Sequence, residues 1–144
     1  SVHLDGQYVT ATSAGPVLEP GRWHHVAGVF DGNEVRVYVD GELAASQPGS
    51  GARTVRALPL IVGADVTAGG GATSHFAGEI DELRLSRVAR YAGARFTPAP
   101  RCEPDSDTLL LLHMDGDLGP WVFDGSAARA HPARHGDARV EACP

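Results

Sequence analysis

Three short runs and the turns between them leave this chain little choice of fold class. Glu34–Val39 (EVRVYV) alternates strictly, with Val35, Val37 and Val39 on one face and Glu34, Arg36 and Tyr38 on the other. A period of two is the mark of a β-strand. Asp31-Gly32-Asn33 precedes this run and Asp40-Gly41 follows it. Asp-Gly tolerates the positive φ angles of a tight hairpin, so the chain must double back at both ends. Residues 22–30 (RWHHVAGVF) and 42–46 then become the outer strands of an antiparallel meander. Residues 22–30 carry apolar groups on both faces, which predicts a strand covered on both sides or central in its sheet.

The rest of the chain is punctuated in the same way. Residues 3–12 read as a short hairpin around Asp5-Gly6, and Pro20-Gly21 is a strong turn signal. Residues 58–63 (LPLIVG) predict a strand, which Pro59 confines to an edge or a strand start. Residues 108–114 (TLLLLHM) predict a buried strand and residues 134–142 a last one. Helix is limited to one turn near residues 86–91. Eighteen Gly and ten Pro, with no long helical pattern, therefore predict an all-β sandwich of short antiparallel strands.

At 144 residues the chain is one domain or part of a larger one. Its net charge of −6 and the lack of a basic cluster argue against nucleic acid as a partner. All twelve basic residues are Arg, as coding bias in a GC-rich, bacterial genome produces, so Schiff-base lysine chemistry is excluded. The longest apolar run, residues 109–112, is far too short to span a bilayer. No signal peptide is visible, so any targeting segment is expected to lie upstream or to have been removed. Cys102 and Cys143 can close a disulfide around a loop of about 40 residues, worth on the order of 3–4 kcal/mol in the chain-entropy model. Two free thiols are the other reading. Neither cysteine sits in an apolar run, which favours the disulfide and an oxidising, extracytoplasmic setting.

Residues 76–91 (FAGEIDELRLSRVARY) hold the most irregular pattern. Phe76, Gly78 and Ile80 fit one alternating face, while Leu83 and Leu85 fit the other. The slip falls at Asp81-Glu82 and predicts a β-bulge that turns an acidic pair out of register.

Two stretches carry a family resemblance. Residues 21–46 (GRWHHVAGVFDGNEVRVYVDGELAAS) resemble the central hairpins of laminin-G-like domains, in the concanavalin-A-like jelly-roll superfamily. Residues 76–91 resemble that family's closing strand, with its Gly78-x-Ile80-Asp81-Glu82-Leu83-Arg84 signature. The resemblance implies a two-sheet antiparallel jelly roll. It also implies that strands usually found before the first motif are missing, since only residues 1–20 precede Gly21. Residues 1–96 then form the C-terminal two-thirds of the roll. Residues 97–144 supply a Pro-rich crossover and closing strands, tied to the same domain by the disulfide. A second chain or a severed N-terminal segment is expected to complete the sandwich.

The same resemblance implies a structural calcium ion on the rim, with Asp81 as the leading ligand and Asp115, Asp117 and Asp124 as partners. Calcium takes six to eight oxygen ligands, so two carboxylates plus carbonyls suffice. Glu79-Ile80-Asp81 also resembles part of the E-x-D-x-x-E signature of jelly-roll β-glucanases. Arg84 stands where the acid/base carboxylate belongs, so a retaining pair is incomplete. The histidines show no metal-ligand spacing, and no nucleophile–His–acid set is legible.

These readings converge on a non-catalytic, extracytoplasmic recognition or adhesion module for a glycan or a protein. Its candidate binding loops are residues 12–20, 47–56 and 65–74, none of which carries a Trp or Tyr. A structural subunit of a surface assembly, completed by a neighbour's strands, is the alternative. Glycan hydrolysis ranks third.

Overall fold

A computed structural model describes residues 1–55 and 57–141, and every regular element in them is a β-strand in an antiparallel pair. The all-β, antiparallel class read from the alternation is what the chain adopts. The described residues divide into two compact units, one of residues 1–55 and 88–100, the other of residues 57–87 and 101–141.

The first unit opens with β1 (Val2–Leu4) and β2 (Gln7–Val9), joined by Asp5 and Gly6 at φ 45° and 85°. Its main sheet runs β3 (Val26–Phe30), β4 (Glu34–Val39) and β5 (Glu42–Pro48), in that order. Turn chemistry sets both reversals. Asp31 Oδ1 accepts the Asn33 and Glu34 N–H groups at 2.9 and 3.0 Å, closing the first turn. Asp40 and Gly41 adopt φ 51° and 84° in the second. β4 is the central strand. β3 has a strand neighbour on one side only, and Val26 is exposed, so the expectation of a strand covered on both sides is corrected.

Tyr38 departs from the sequence pattern in the opposite sense. Alternation placed it with Glu34 and Arg36 on the polar face, yet it is wholly buried. The cause is the return of residues 88–100. Leu43 N–H donates to Ala94 C=O at 2.9 Å, and Phe96 N–H donates to Gly41 C=O at 2.8 Å. This brings Tyr91 and Phe96, stacked with centroids 3.6 Å apart, edge-on to the Tyr38 ring. The Tyr38 hydroxyl donates to Gly93 C=O at 3.0 Å, so its one polar atom is satisfied where the ring is dry.

The second unit holds a small hairpin, β6 (Asp65–Val66) with β7 (Ala72–Thr73), around the glycine loop. Its main ladder pairs β8 (Leu83–Ser86) with β9 (Thr108–Leu112). A last hairpin, β10 (Asp117–Leu118) with β11 (Trp121–Val122), turns at Gly119-Pro120. Leu110, Leu111 and Leu112 form the core of this unit.

Three predicted strand segments do not form among the described residues. Residues 58–63 join no ladder, and Leu60 is exposed; Pro59 lacks the N–H that pairing needs. Residues 76–82 are also irregular. Glu82 takes φ 50°, a left-handed conformation that a strand cannot propagate, so β8 starts only at Leu83. The slip at Asp81-Glu82 is therefore a strand start, and the register shift of this ladder lies at Leu85/Ser86. Residues 134–141 likewise form no strand.

Gly41 is the most constrained glycine of the first unit. A Cβ there would lie 2.1 Å from Phe96 O and 2.9 Å from Pro98 Cδ, on a backbone already at positive φ. Gly41→Ala is expected to destabilise the protein by about 2–4 kcal/mol in urea unfolding, through strain and loss of the Phe96 contact. Gly28→Ala, where a Cβ meets nothing within 4 Å, is expected to shift stability by less than about 0.5 kcal/mol.

Candidate functional site

The site begins with a carboxylate that is not exposed to solvent at all. Asp124 lies in the Asp-Gly-Ser turn after β11 and is fully buried. Its Oδ1 accepts the N–H groups of Leu111 and Ser126 at 3.0 and 2.8 Å. Its Oδ2 accepts the Ala130 N–H and the Ser126 hydroxyl, both at 2.9 Å. Its own N–H donates to His131 Nδ1 at 3.0 Å, and Gly125 N–H donates to Leu111 C=O at 2.8 Å. Burial alone pushes the Asp124 carboxyl up. The amides of Leu111, Ser126 and Ala130 and the Ser126 hydroxyl outweigh it and hold the group below its ordinary value of 3.8. Asp124 thus fixes residues 124–131 to β9.

β9 in turn fixes β8, and the shared end of that ladder carries a chain of polar contacts. Leu83 pairs with Leu112, so the next residues outward, Glu82 and His113, face one another. Glu82 Oε1 lies 2.7 Å from His113 Nδ1 and 3.4 Å from Arg101 Nη1. Its Oε2 accepts the Cys102 N–H at 2.9 Å. Arg101 Nη2 reaches Asp115 Oδ2 at 2.7 Å. Glu82 and His113 are largely covered, while Arg101 and Asp115 are about half exposed. The Asp115 hydrogen bond is the main reason the Arg101 guanidinium is held above its ordinary value.

Glu82 and Met114 both adopt positive φ, 50° and 58°, without being glycine. Such residues cost on the order of 1–2 kcal/mol each and persist only where their surroundings hold them. At Glu82 the three partners of the carboxylate do so. Beside this chain lies an open depression of about 320 Å³, lined by Arg101, residues 113–116, Leu118 and Phe123. Leu118 and Phe123 are both nearly half exposed. A His113 ring whose Nδ1 faces a carboxylate keeps Nε2 as its remaining polar atom. The depression therefore brings the polar groups of Arg101, His113 and Asp115 into one mainly apolar lining with Leu118 and the Phe123 ring.

The residues singled out for calcium are not gathered here. Asp81 is exposed and its Oδ1 accepts the adjacent Glu82 N–H at 2.8 Å. Asp115 holds Arg101, and Asp124 has both oxygens on protein donors. Asp124 and Asp115 therefore do not fit a rim cation. Among the described residues no three His, Cys, Asp or Glu side chains converge as a metal requires. Asp117 lies in β10, and its side chain, like Cys143 and hence the pairing of Cys102 with Cys143, lies outside the described residues. Glu79 is exposed and sits in no strand.

Two other histidines, His24 and His25, serve a turn and packing. His24 Nδ1 lies 2.8 Å from Asp40 Oδ2, and the His24 contact is the main reason the Asp40 carboxyl is held below its ordinary value. His25 packs edge-on to Phe96. Arg101, His113 and Phe123 were not singled out as site residues from the sequence. The available signal was the His-Met-Asp that follows the leucine run, but its meeting with Glu82 depends on a ladder between residues far apart in the chain. A second open depression, of about 370 Å³, is lined by Leu60, Val62, Ile80 and Leu85 among others; like the first it is mainly apolar, but Arg84 is its one charged residue.

A laminin-G-like family model, described as the concanavalin A-like lectin/glucanases superfamily, matches residues 1–93. No curated protein and no solved structure matches the chain. The match includes Glu82 and stops short of Arg101, His113, Asp115 and Phe123.

The Asp124 cluster generates a signed prediction. A carboxyl whose folded value is depressed contributes stability that is complete above the unfolded value of 3.8 and is lost as pH falls below it. Asp124→Asn keeps the shape but sets an NH₂ group against N–H donors, so it is expected to cost about 2–4 kcal/mol at neutral pH. The variant is also expected to lose less stability than the parent between neutral pH and pH values below 3.8. Urea unfolding at both pH values, with and without a calcium chelator, measures both effects; the difference between the two proteins is expected to be the same with chelator.

Proposed function

Because the chain belongs to the concanavalin A-like lectin/glucanases superfamily, we propose that it is a non-catalytic recognition module that takes a glycan in the depression of the second unit. Laminin-G-like domains are typically non-catalytic, and the family supports a carbohydrate- or protein-binding module. The observation that carries the glycan reading is the presence of Arg101, His113 and Asp115 in the lining of one depression with the exposed Phe123 ring. A sugar ring has hydroxyls on its rim and C–H groups on its faces. Arg101, Asp115 and His113 offer donors and acceptors to the rim, and Phe123 offers a face for the C–H groups. The contacts of Glu82 with His113 and Arg101 lower the ordering cost of binding.

Two features favour recognition over hydrolysis. Glu79 and Asp81 are exposed and outside the depression, and the largely covered Glu82 carboxylate is engaged by His113, Arg101 and Cys102. An extracytoplasmic location accompanies the reading, as laminin-G-like domains are often extracellular. No helix among the described residues is long and apolar enough to cross a membrane.

A protein ligand is the second reading, favoured by the apolar depression at Leu60, Val62, Ile80 and Leu85. A panel of neutral and acidic oligosaccharides, read by calorimetry on the full chain, separates the two. The glycan reading expects at least one binder whose affinity falls about tenfold, or about 1.4 kcal/mol, in Phe123→Ala. It expects no comparable loss in Leu60→Ser, which lines the other depression. A panel without binders sinks it, and so does a binder indifferent to Phe123.

A further inference from the structure

The chain contains five Asp-Gly pairs, beginning at Asp5, Asp31, Asp40, Asp115 and Asp124. An aspartyl carboxyl followed by glycine is open to attack by the next amide nitrogen, because glycine has no side chain to obstruct ring closure. The attack needs a carboxyl free to swing onto that nitrogen.

Four of the pairs are restrained by backbone donors. Asp5 Oδ1 accepts the Ala52 N–H at 3.1 Å. Asp31 Oδ1 accepts the Asn33 and Glu34 N–H groups at 2.9 and 3.0 Å. Asp40 Oδ1 accepts the His25 N–H at 2.9 Å, while its Oδ2 lies 2.8 Å from His24 Nδ1. Asp124 is buried on three backbone amides, and the nitrogen that would attack it, Gly125 N, already donates to Leu111 C=O.

Asp115 is the exception. Its carboxylate meets the Arg101 guanidinium and no backbone N–H, and both side chains are more than half exposed, at 57% and 52%. Gly116, like Gly6 and Gly32, has an N–H with no backbone partner among the described residues and open space where a Cβ would stand, so it is the carboxylate, held by no backbone donor, that sets Asp115 apart. An exposed ion pair of this kind holds its partners weakly and is screened by salt.

We propose that Asp115-Gly116 is a site of spontaneous covalent modification, where the folded protein forms a succinimide and then isoaspartate ahead of the other four pairs. Gly116 N bonds to Asp115 Cγ. Its proton leaves with the carboxyl OH as water, closing the ring. Water then adds at the Asp115 main-chain carbonyl carbon, and the bond from that carbon to Gly116 N breaks. The chain afterwards runs through Cβ and Cγ, and the former main-chain carbonyl becomes a free carboxylate. Water is released and taken up again, so no other reactant is needed and the mass is unchanged. The product lengthens the backbone by one carbon at the wall of the depression and moves the carboxylate away from Arg101 Nη2.

The test is to incubate the native full chain at neutral pH and body temperature. Isoaspartate at each pair is then quantified by peptide mapping with electron-based fragmentation and by labelling with a protein isoaspartyl methyltransferase. The expected result is formation at Asp115 several-fold faster than at any other pair. In urea the five rates are expected to converge, because only the fold distinguishes them. Gly116→Ala is expected to slow formation at Asp115 several-fold. A native rate at Asp115 no greater than at the other four pairs overturns the proposal. A lead at Asp115 that persists undiminished in urea overturns it too, since the cause would then be local sequence.

Discussion

A carboxylate deprived of water must find its donors in the protein, and at Asp124 it finds them in three stretches of chain. Leu111 brings β9, Ser126 brings the turn itself, and Ala130 brings the segment beyond. Leaving such a group unmatched would cost several kcal/mol, so these stretches are bound to adopt one arrangement together. The ladder of β8 with β9 inherits its position from this knot. So do Phe123, one residue before Asp124, and His113, two residues after Leu111. The candidate site is the solvent-facing edge of an arrangement whose energetic centre is buried and polar.

This division of labour accounts for the chemistry at the surface. Arg101 with Asp115 is a half-exposed pair whose contribution to stability is small. Of the two, Arg101 also contacts the better covered Glu82, which in turn meets His113, while Asp115 has only Arg101. The left-handed backbone at Glu82 belongs to the same logic, since strain there is offset by what the side chain holds.

How much of this was legible depended on the range of each interaction. Asp40-Gly41 and Asp31-Gly32 announce their turns in adjacent residues, and both hairpins form where the sequence places them. Strict alternation gave β4 its residues but put Tyr38 on the wrong side of the polar boundary, because its cover comes from Tyr91 and Phe96, more than fifty positions on. Residues 58–63 have the composition of a strand but Pro59 removes a ladder donor. The pattern slip at Glu82 was visible, and its meaning was not, since the partners at 101, 102 and 113 are set by pairing across a long loop. Asp124 looked like any turn aspartate offered to a cation; only the approach of the Leu111 amide shows that its oxygens are already taken.

The order in which the two units occur along the chain has a further consequence, for synthesis. The sheet of β3, β4 and β5 is complete by Pro48, yet the tyrosine hydroxyl at its centre waits for a carbonyl 55 residues downstream. A ribosome delivers residues from the N-terminus at roughly 5–20 per second, so the whole of 57–87 must be made before that cover arrives. For several seconds a nascent chain carries a finished meander with a bare aromatic face, which is the kind of surface a holding chaperone recognises.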